Sequence, residues 1–492
     1  MQVIIRLFLG KSSLWAIFFL AFFVSLAFQG SRGLFDRDET RYAECAREML
    51  VTGNFLIPKR DFRPHLTKPP FTYWAISAGM ALIGKNEWGV RSGYSLAFAL
   101  TVVLVTLLGT TLWDRQCGFV AGLLYMTTIV PFAASNLVTT DTFLVLWETG
   151  AVYAFVRGYR ANEPGEARKW FHLMWIFWGL GFVTKGPAIF PVAAGMVLFW
   201  LLHLKHFRAL PVTVLGILAF LFIGLSWYLL MYLKNPGILP FILKEQITGR
   251  LVSNVYHRNS AWYAPFYLYL PLLTLGALPW SALWLGFMRD LRARSTGLIP
   301  TDQAMRLVFF WFLVPLIVFC IARSRLPLYI LPLFAPLAIF TSHVWVKRGI
   351  DVKRAAVFFC VWVLMLLGIK AGAAIYPAPQ DQRATYEWIR PYLRESRLLL
   401  AASDRFMDGL AFYTERDIKY LPEKPGSKFK KKAVCEGTWD EEVKMLGQDK
   451  RARVIVYKKK KEEAIMNYLE QNKIGYKIIE PHYKLGALML NE

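Results

Sequence analysis

Arg354-Ala-Ala-Val-Phe-Phe-Cys-Val-Trp-Val-Leu-Met-Leu-Leu-Gly-Ile-Lys-Ala-Gly-Ala-Ala-Ile-Tyr-Pro377 is where this chain changes character. Up to Tyr376 the run is long and apolar enough to cross a bilayer, which takes about twenty residues. From Pro377, with Pro379 and Gln380 close behind, hydrophobicity drops and charged residues become frequent. The residues before this point read as membrane, and those after it as a small water-soluble domain.

Working back from residue 376, apolar runs recur near 9–28, 90–113, 117–135, 140–157, 170–184, 187–204, 210–233, 263–288, 306–322, 327–346 and 354–376. With 55% hydrophobic and 16% aromatic residues in 492, no single soluble core needs this much apolar sequence. The expected fold is an all-α polytopic membrane protein of about eleven spans over residues 1–376, with a small C-terminal α/β domain over 377–492. The first run follows Arg6 and Lys11, and Gln29-Gly-Ser-Arg offers no small-x-small cleavage site, so it is expected to stay as a first span.

The formal net charge of +24 would suggest nucleic acid in a soluble protein, but most of it lies in short loops between apolar runs. Arg157, Arg160, Arg168 and Lys169 share one such loop, Lys205 and Arg208 another. Arg289, Arg292, Arg294 and Arg306 mark a third, and Lys347, Arg348, Lys353 and Arg354 a fourth. These alternate, so the positive-inside rule makes that side cytoplasmic, together with the N-terminus. Loops 29–89 and 234–262 and the tail are then outside. Those outer loops nevertheless hold Arg37, Arg41, Arg47, Lys68, Lys85, Arg250, Arg258, Arg323 and Arg325. Cations kept on the side that should lack them point to an anionic ligand, most simply a phosphate.

Within loop 29–89, Asp38-Glu39-Thr-Arg41-Tyr42 opens a predicted amphipathic helix with Tyr42, Cys45, Ala46 and Met49 on its apolar face and Gly53 at its end. Pro69-Pro70 leads into a second such segment over 71–83, and both read as helices lying on the membrane surface. In the tail, 397–403, 418–421, 453–457 and 476–480 read as strands, and 408–416 and 461–471 as helices. The basic runs Lys428–Lys432 and Lys458–Lys461 read first as a solvated face. The five cysteines show neither metal spacing nor a disulfide framework.

Four groups could carry chemistry. Asp38 and Glu39 start the first loop helix, Asp141 starts a span at its outer end, and Lys68 precedes the Pro-Pro turn. A capping role for Asp141 and a snorkelling role for Lys68 are the plain alternatives. Together, a carboxylate could accept a proton from an acceptor hydroxyl while the cations neutralise a leaving lipid phosphate. Lys185, in Thr184-Lys-Gly-Pro187, and Arg325, in Ser324-Arg-Leu-Pro-Leu-Tyr-Ile-Leu-Pro332, add charge on the same face. Asp38 with Glu39 could hold a divalent ion, though no third ligand accompanies them.

These segments, with Arg47-Glu48-Met49, Tyr73-Trp74, Gly84 to Arg91 and Thr140-Asp141, resemble the C-type (GT-C) glycosyltransferases over about residues 30–340. The likeness is strongest to the bacterial branch that includes the 4-amino-4-deoxy-L-arabinose lipid A transferases. It implies a GT-C fold in a bacterial inner membrane, with the active site and tail domain periplasmic. It also implies an undecaprenyl-phosphate sugar donor, lipid A or another envelope glycan as acceptor, inversion at the anomeric carbon, and no obligatory cofactor. By resemblance Asp38 and Asp141, with Glu39, are the functional acids. Lys68, Lys185, Arg325, Arg250 and Arg41 would bind the donor phosphate, and Tyr42, Tyr73, His257 and Tyr329 would line the cavity. The chain departs from many relatives at Thr67, where they carry an acid, and at Arg325, where they carry Lys. The rivals are a protein O-mannosyltransferase-like enzyme and a lipid-linked-sugar transporter. The absence of an internal repeat speaks against the transporter.

Overall fold

A computed structural model describes residues 13–237, 240, 258–284, 302–349, 352–393, 398–403, 405–426, 438–448 and 453–490. Among these residues six helical stretches are long and apolar enough to cross a membrane: Glu87–Leu112, Pro164–Leu202, Val214–Lys234, Gln303–Ile321, Pro327–Lys347 and Val357–Ile375. The expected eleven are not recovered, for local reasons. Run 117–135 splits into Arg115–Thr127 and Ile129–Ala134 because Thr128 is extended (ψ 131°). Asp141–Arg160 has the length but carries Asp141, Glu148, Arg157 and Arg160, which lower its hydropathy. Runs 170–184 and 187–204 join end to end through the turn Gly186–Ile189. Ser13–Leu26 and Ala264–Thr274 are short, and the latter contains Pro271.

The first loop folds as helix Asp38–Thr52, the hairpin β1 (Lys59–Arg60) and β2 (Arg63–Pro64), and helix Phe71–Ile83. The first helix stops at Gly53, whose φ of 65° suits a residue without a side chain. Its expected apolar face is buried, but so are Glu44, Arg47 and Glu48 on the face expected to meet solvent. The helix is sandwiched rather than laid on a surface, because helix Asp408–Thr414 of the tail packs against it. Glu44 and Arg47 enter this contact as a two-pronged pair with both hydrogen bonds at 2.7 Å.

The tail forms a five-stranded mixed sheet from β3 (Leu398–Ala402), β4 (Ile418–Leu421), β5 (Arg453–Lys458), β6 (Tyr476–His482) and β7 (Leu485–Leu490). The spatial order is β4-β3-β5-β7-β6, with β3 parallel to β4 and β5, and β7 antiparallel to β5 and β6. Alternation splits the strands between two cores: Leu399, Ala401, Val454 and Val456 face one, and Leu400, Ala402 and Ile455 face the other. β7 and the helices Gln382–Leu393 and Trp439–Gln448 went unread in the sequence. Lys428–Lys432 lie outside the described residues.

The tail is fastened to the first loop. The Asp36 amide donates to Gln380 O and the Gln382 amide to Leu34 O, each at 3.0 Å. Arg60 pairs with Asp408 at 2.5 Å and Lys85 with Glu415 at 2.8 Å. The Tyr413 hydroxyl receives the Leu34 amide and donates to Glu87. The protein is thus a mostly helical, multi-pass membrane protein with a small mixed sheet docked on its first large loop.

Candidate active site

Lys185 ends helix Pro164–Lys185, and Gly186, at φ 63°, turns the chain away behind it. Its ammonium donates to Asp141 Oδ1 at 2.5 Å and lies 4.6 Å from the centre of the Tyr329 ring. Asp141 is the first residue of helix Asp141–Arg160, where the helix dipole favours an anion. Its carboxylate takes no backbone N–H, so it does not cap this helix; its partner is Lys185.

Tyr42 carries the first loop to this pair. Asp38 and Asp141 both act on its hydroxyl, and the Arg41 guanidinium lies 5.3 Å from its ring centre. Burial first, opposed by Arg41 and aided by Asp38 and Asp141, pushes the Tyr42 hydroxyl up to about 12. Asp38 itself is 67% exposed and pairs with Arg41 at 2.6 Å. Tyr73 stacks at a tilt on Tyr42, with centroids 5.5 Å apart. The buried hydroxyls of Tyr73 and Tyr94 have no hydrogen-bond partner.

Lys68 is half-buried in the turn that opens helix Phe71–Ile83. Phe71, three residues on, packs edge-on against Phe143 and Trp147 of the Asp141 helix, at 5.6 and 5.3 Å. The turn bearing Lys68 is therefore seated on the helix that begins with Asp141.

Three expectations meet a different environment. Glu39, expected among the acids of the site, is buried. It receives Arg32 at 2.8 and 3.1 Å, Arg91 at 2.8 Å and the Phe35 amide at 2.9 Å. Burial would raise its carboxyl, but Arg91 and Arg32 outweigh that and hold it at about 2. It shares no ligand geometry with exposed Asp38, and no group of three or more metal-ligating side chains occurs among the described residues. Arg325, expected at the phosphate, is buried and donates at 2.8 Å to the carbonyls of Asn259, Ala261 and Cys320. Arg250 and His257 lie outside the described residues.

Glu148 escaped the sequence reading. It sits two turns below Asp141 on the same helical face, buried, within electrostatic reach of Lys185 and Asp141. Neither of its oxygens has a hydrogen-bond partner. The only signal in the sequence was an acid inside an apolar run, which by itself marks a functional position in a membrane protein.

Known proteins share this architecture. A crystal structure of ArnT from Cupriavidus metallidurans bound to undecaprenyl phosphate superposes with a TM-score of 0.75 at 20% identity, covering 97% of both chains. The model of the dolichyl-phosphate-mannose-protein mannosyltransferase family matches residues 67–228. This is the GT-C class of multi-pass membrane proteins. The undecaprenyl phosphate-alpha-4-amino-4-deoxy-L-arabinose arabinosyl transferase of Edwardsiella ictaluri is 31% identical over 369 residues, 74% of this chain. A second enzyme of that name, from Pseudomonas fluorescens, is 30% identical over 340 residues, 68% of this chain. The chain belongs to the family of these arabinosyl transferases, the polyprenyl-phosphate-dependent GT-C proteins. It spans 64% and 59% of the lengths of those two relatives.

Proposed function

We propose that this protein transfers a sugar from an undecaprenyl-phosphate carrier to lipid A or another lipopolysaccharide acceptor, at the periplasmic face of a bacterial inner membrane. The observation that carries the reading is the buried Asp141–Lys185 pair, reached from the first loop through Tyr42, Arg41 and Asp38. Anionic and cationic groups from four separate segments meet there, as transfer away from a phosphate requires.

The sugar C1–O bond to phosphate breaks with its electron pair going to the departing undecaprenyl phosphate, and the acceptor oxygen forms the new bond to C1. Lys68 neutralises the phosphate as it leaves, with Arg41 beside it. Asp141 orients the Lys185 ammonium, which closes the other side of the phosphate. Asp38, exposed at the start of its helix, takes the proton when the acceptor is a hydroxyl. When the acceptor is itself a phosphate it needs no base, and Asp38 then positions it. Attack from the face opposite the phosphate inverts the anomeric carbon. Arg325 supports this site by tying residues 259–261 to the Tyr329 segment. Glu39 supports it by fixing the start of the Asp38 helix.

The mannosyltransferase match over 67–228 favours a second reading, in which the donor chemistry is kept and the acceptor is a protein. Mass spectrometry of lipid A from cells with and without the gene separates the two. A mass difference equal to one glycosyl residue is expected. An unchanged lipid A removes it as the acceptor.

A further inference from the structure

Helix Asp141–Arg160 is 20 residues long, about 30 Å at 1.5 Å per residue. That matches the hydrocarbon thickness of a bilayer, so its far end lies at the opposite membrane boundary from Asp141. A cavity of about 580 Å³ opens there. It is lined by the end of this helix, by the segment around His206 and Arg208, and by the start of helix Gln303–Ile321.

The walls differ in chemistry. Val156, Phe199 and Leu307 make an apolar floor, while Arg160, His206 and Arg208 stand around the rim. Arg160 is already committed to the Thr111 and Leu112 carbonyls. The one carboxylate on the wall, Asp302, caps its own helix by receiving the Ala304 and Met305 amides. Arg208 is exposed and makes no hydrogen bond or ion pair among the described residues. Lys205 is two residues from the lining His206 and four from Trp200, an aromatic of the kind that collects at membrane interfaces.

We infer that this cavity binds the phosphate head group of an anionic membrane phospholipid, with the glycerol and upper acyl chain on the apolar floor. The inference does not rest on the proposed transfer reaction. A soluble phosphate would satisfy the rim and leave the floor unused, so the lipid is the better match. A cationic rim at this boundary also suits the anionic leaflet expected on the side with the cation-rich short loops.

The test is native mass spectrometry of the purified full chain in detergent, offered phosphatidylglycerol, phosphatidylcholine or inorganic phosphate. The wild type should retain phosphatidylglycerol over phosphatidylcholine. Arg208→Ala should retain about fivefold less, one cation's contribution near a charged surface, and Arg208→Glu less again. Because Arg208 is exposed, these variants should fold, and equal yield and melting temperature will check it. Equal retention of the two lipids, or retention unchanged in both variants, overturns the inference. So does displacement of the retained lipid by inorganic phosphate alone, which assigns the site to a soluble ligand.

Discussion

Two buried clusters of opposite charge lie at the same end of the bundle, and residues 136–141 touch both. On one side Asn136 O and the Val138 amide join the network of Glu39, Arg32 and Arg91. On the other, Asp141 holds Lys185 while Glu148 waits below with nothing bound. The first cluster is saturated, since both Glu39 oxygens are filled by guanidinium and amide donors. The second has hydrogen-bonding capacity left over. A buried network that is complete serves the fold, because every desolvated charge is already repaid. One that is incomplete costs free energy in the resting protein and marks where a ligand is meant to complete it. The difference separates Glu39 from Asp141 although both are buried carboxylates beside a cation.

The largest expected effects break the two clusters in opposite ways. Asp38→Asn should lower sugar transfer about 100-fold or more, the scale of a lost general base, while the protein accumulates normally. Near-wild-type transfer would remove Asp38 from the chemistry. Lys68→Ala should likewise abolish transfer at normal abundance. Glu39→Gln should do the reverse. It leaves Arg91 and Arg32 buried without their counter-charge, a loss of about 3–5 kcal/mol, so membrane abundance should collapse while surviving molecules keep their specific activity. The pH dependence follows in sign. The Glu39 carboxyl is held near 2, below its unfolded value of 4.5, so its contribution is present above pH 4.5 and fades as pH falls toward 2. Normal abundance of Glu39→Gln with lost transfer would place Glu39 in the chemistry and undo the comparison.

Glu148 gives a smaller and sharper test. Its oxygens have no partners, so replacing it with an apolar side chain of similar length strands no donor. Glu148→Met should raise stability by about 1 kcal/mol while lowering transfer, because Lys185 loses a carboxyl neighbour. A lower melting temperature would show that Glu148 has a structural partner, and unchanged transfer would detach it from the site. Stabilisation bought with lost activity is the pattern expected of a functional position.

Much of this was legible beforehand, and the illegible parts share a cause. Composition and the alternating basic loops gave a membrane protein, and Pro377 separated it from the tail. The motifs at Asp38, Asp141 and Lys185 were readable because charge beside a span stands out. The span count failed because helix continuity depends on backbone torsions at Thr128 and Gly186, which hydropathy does not register. The solvent face assigned to helix Asp38–Thr52 failed because its cover comes from residues 408–414, far along the chain. Glu39 and Asp38 are adjacent and chemically alike. Only the positions of Arg32 and Arg91 tell them apart, and those are set by tertiary packing.

The smallest expected effect concerns the hairpin between the Asp38 helix and Lys68. Its two turn residues, Asp61 and Phe62, have φ of 56° and 54°, costly for side chains of their kind. Their amides donate to the two Glu48 oxygens at 2.7 and 2.9 Å, which holds the turn. Burial and then Glu44 push the Glu48 carboxyl up to about 7, against the pull of those two amides and Arg47. Nearby His65 is held down at about 3 by burial, Arg60 and Arg41, so it stays neutral from pH 5 to 8 and adds no slope. With the folded value above the unfolded 4.5, the Glu48 contribution is complete below pH 4.5 and lost as pH rises through 7. The melting temperature should therefore fall between pH 5 and 8, with faster amide exchange at Asp61 and Phe62, and Glu48→Gln should flatten both. A slope that survives in Glu48→Gln would locate the titrating group elsewhere. The comparison would still gain from that result, since Glu48 would then join Glu39 as a carboxylate fully absorbed by the fold.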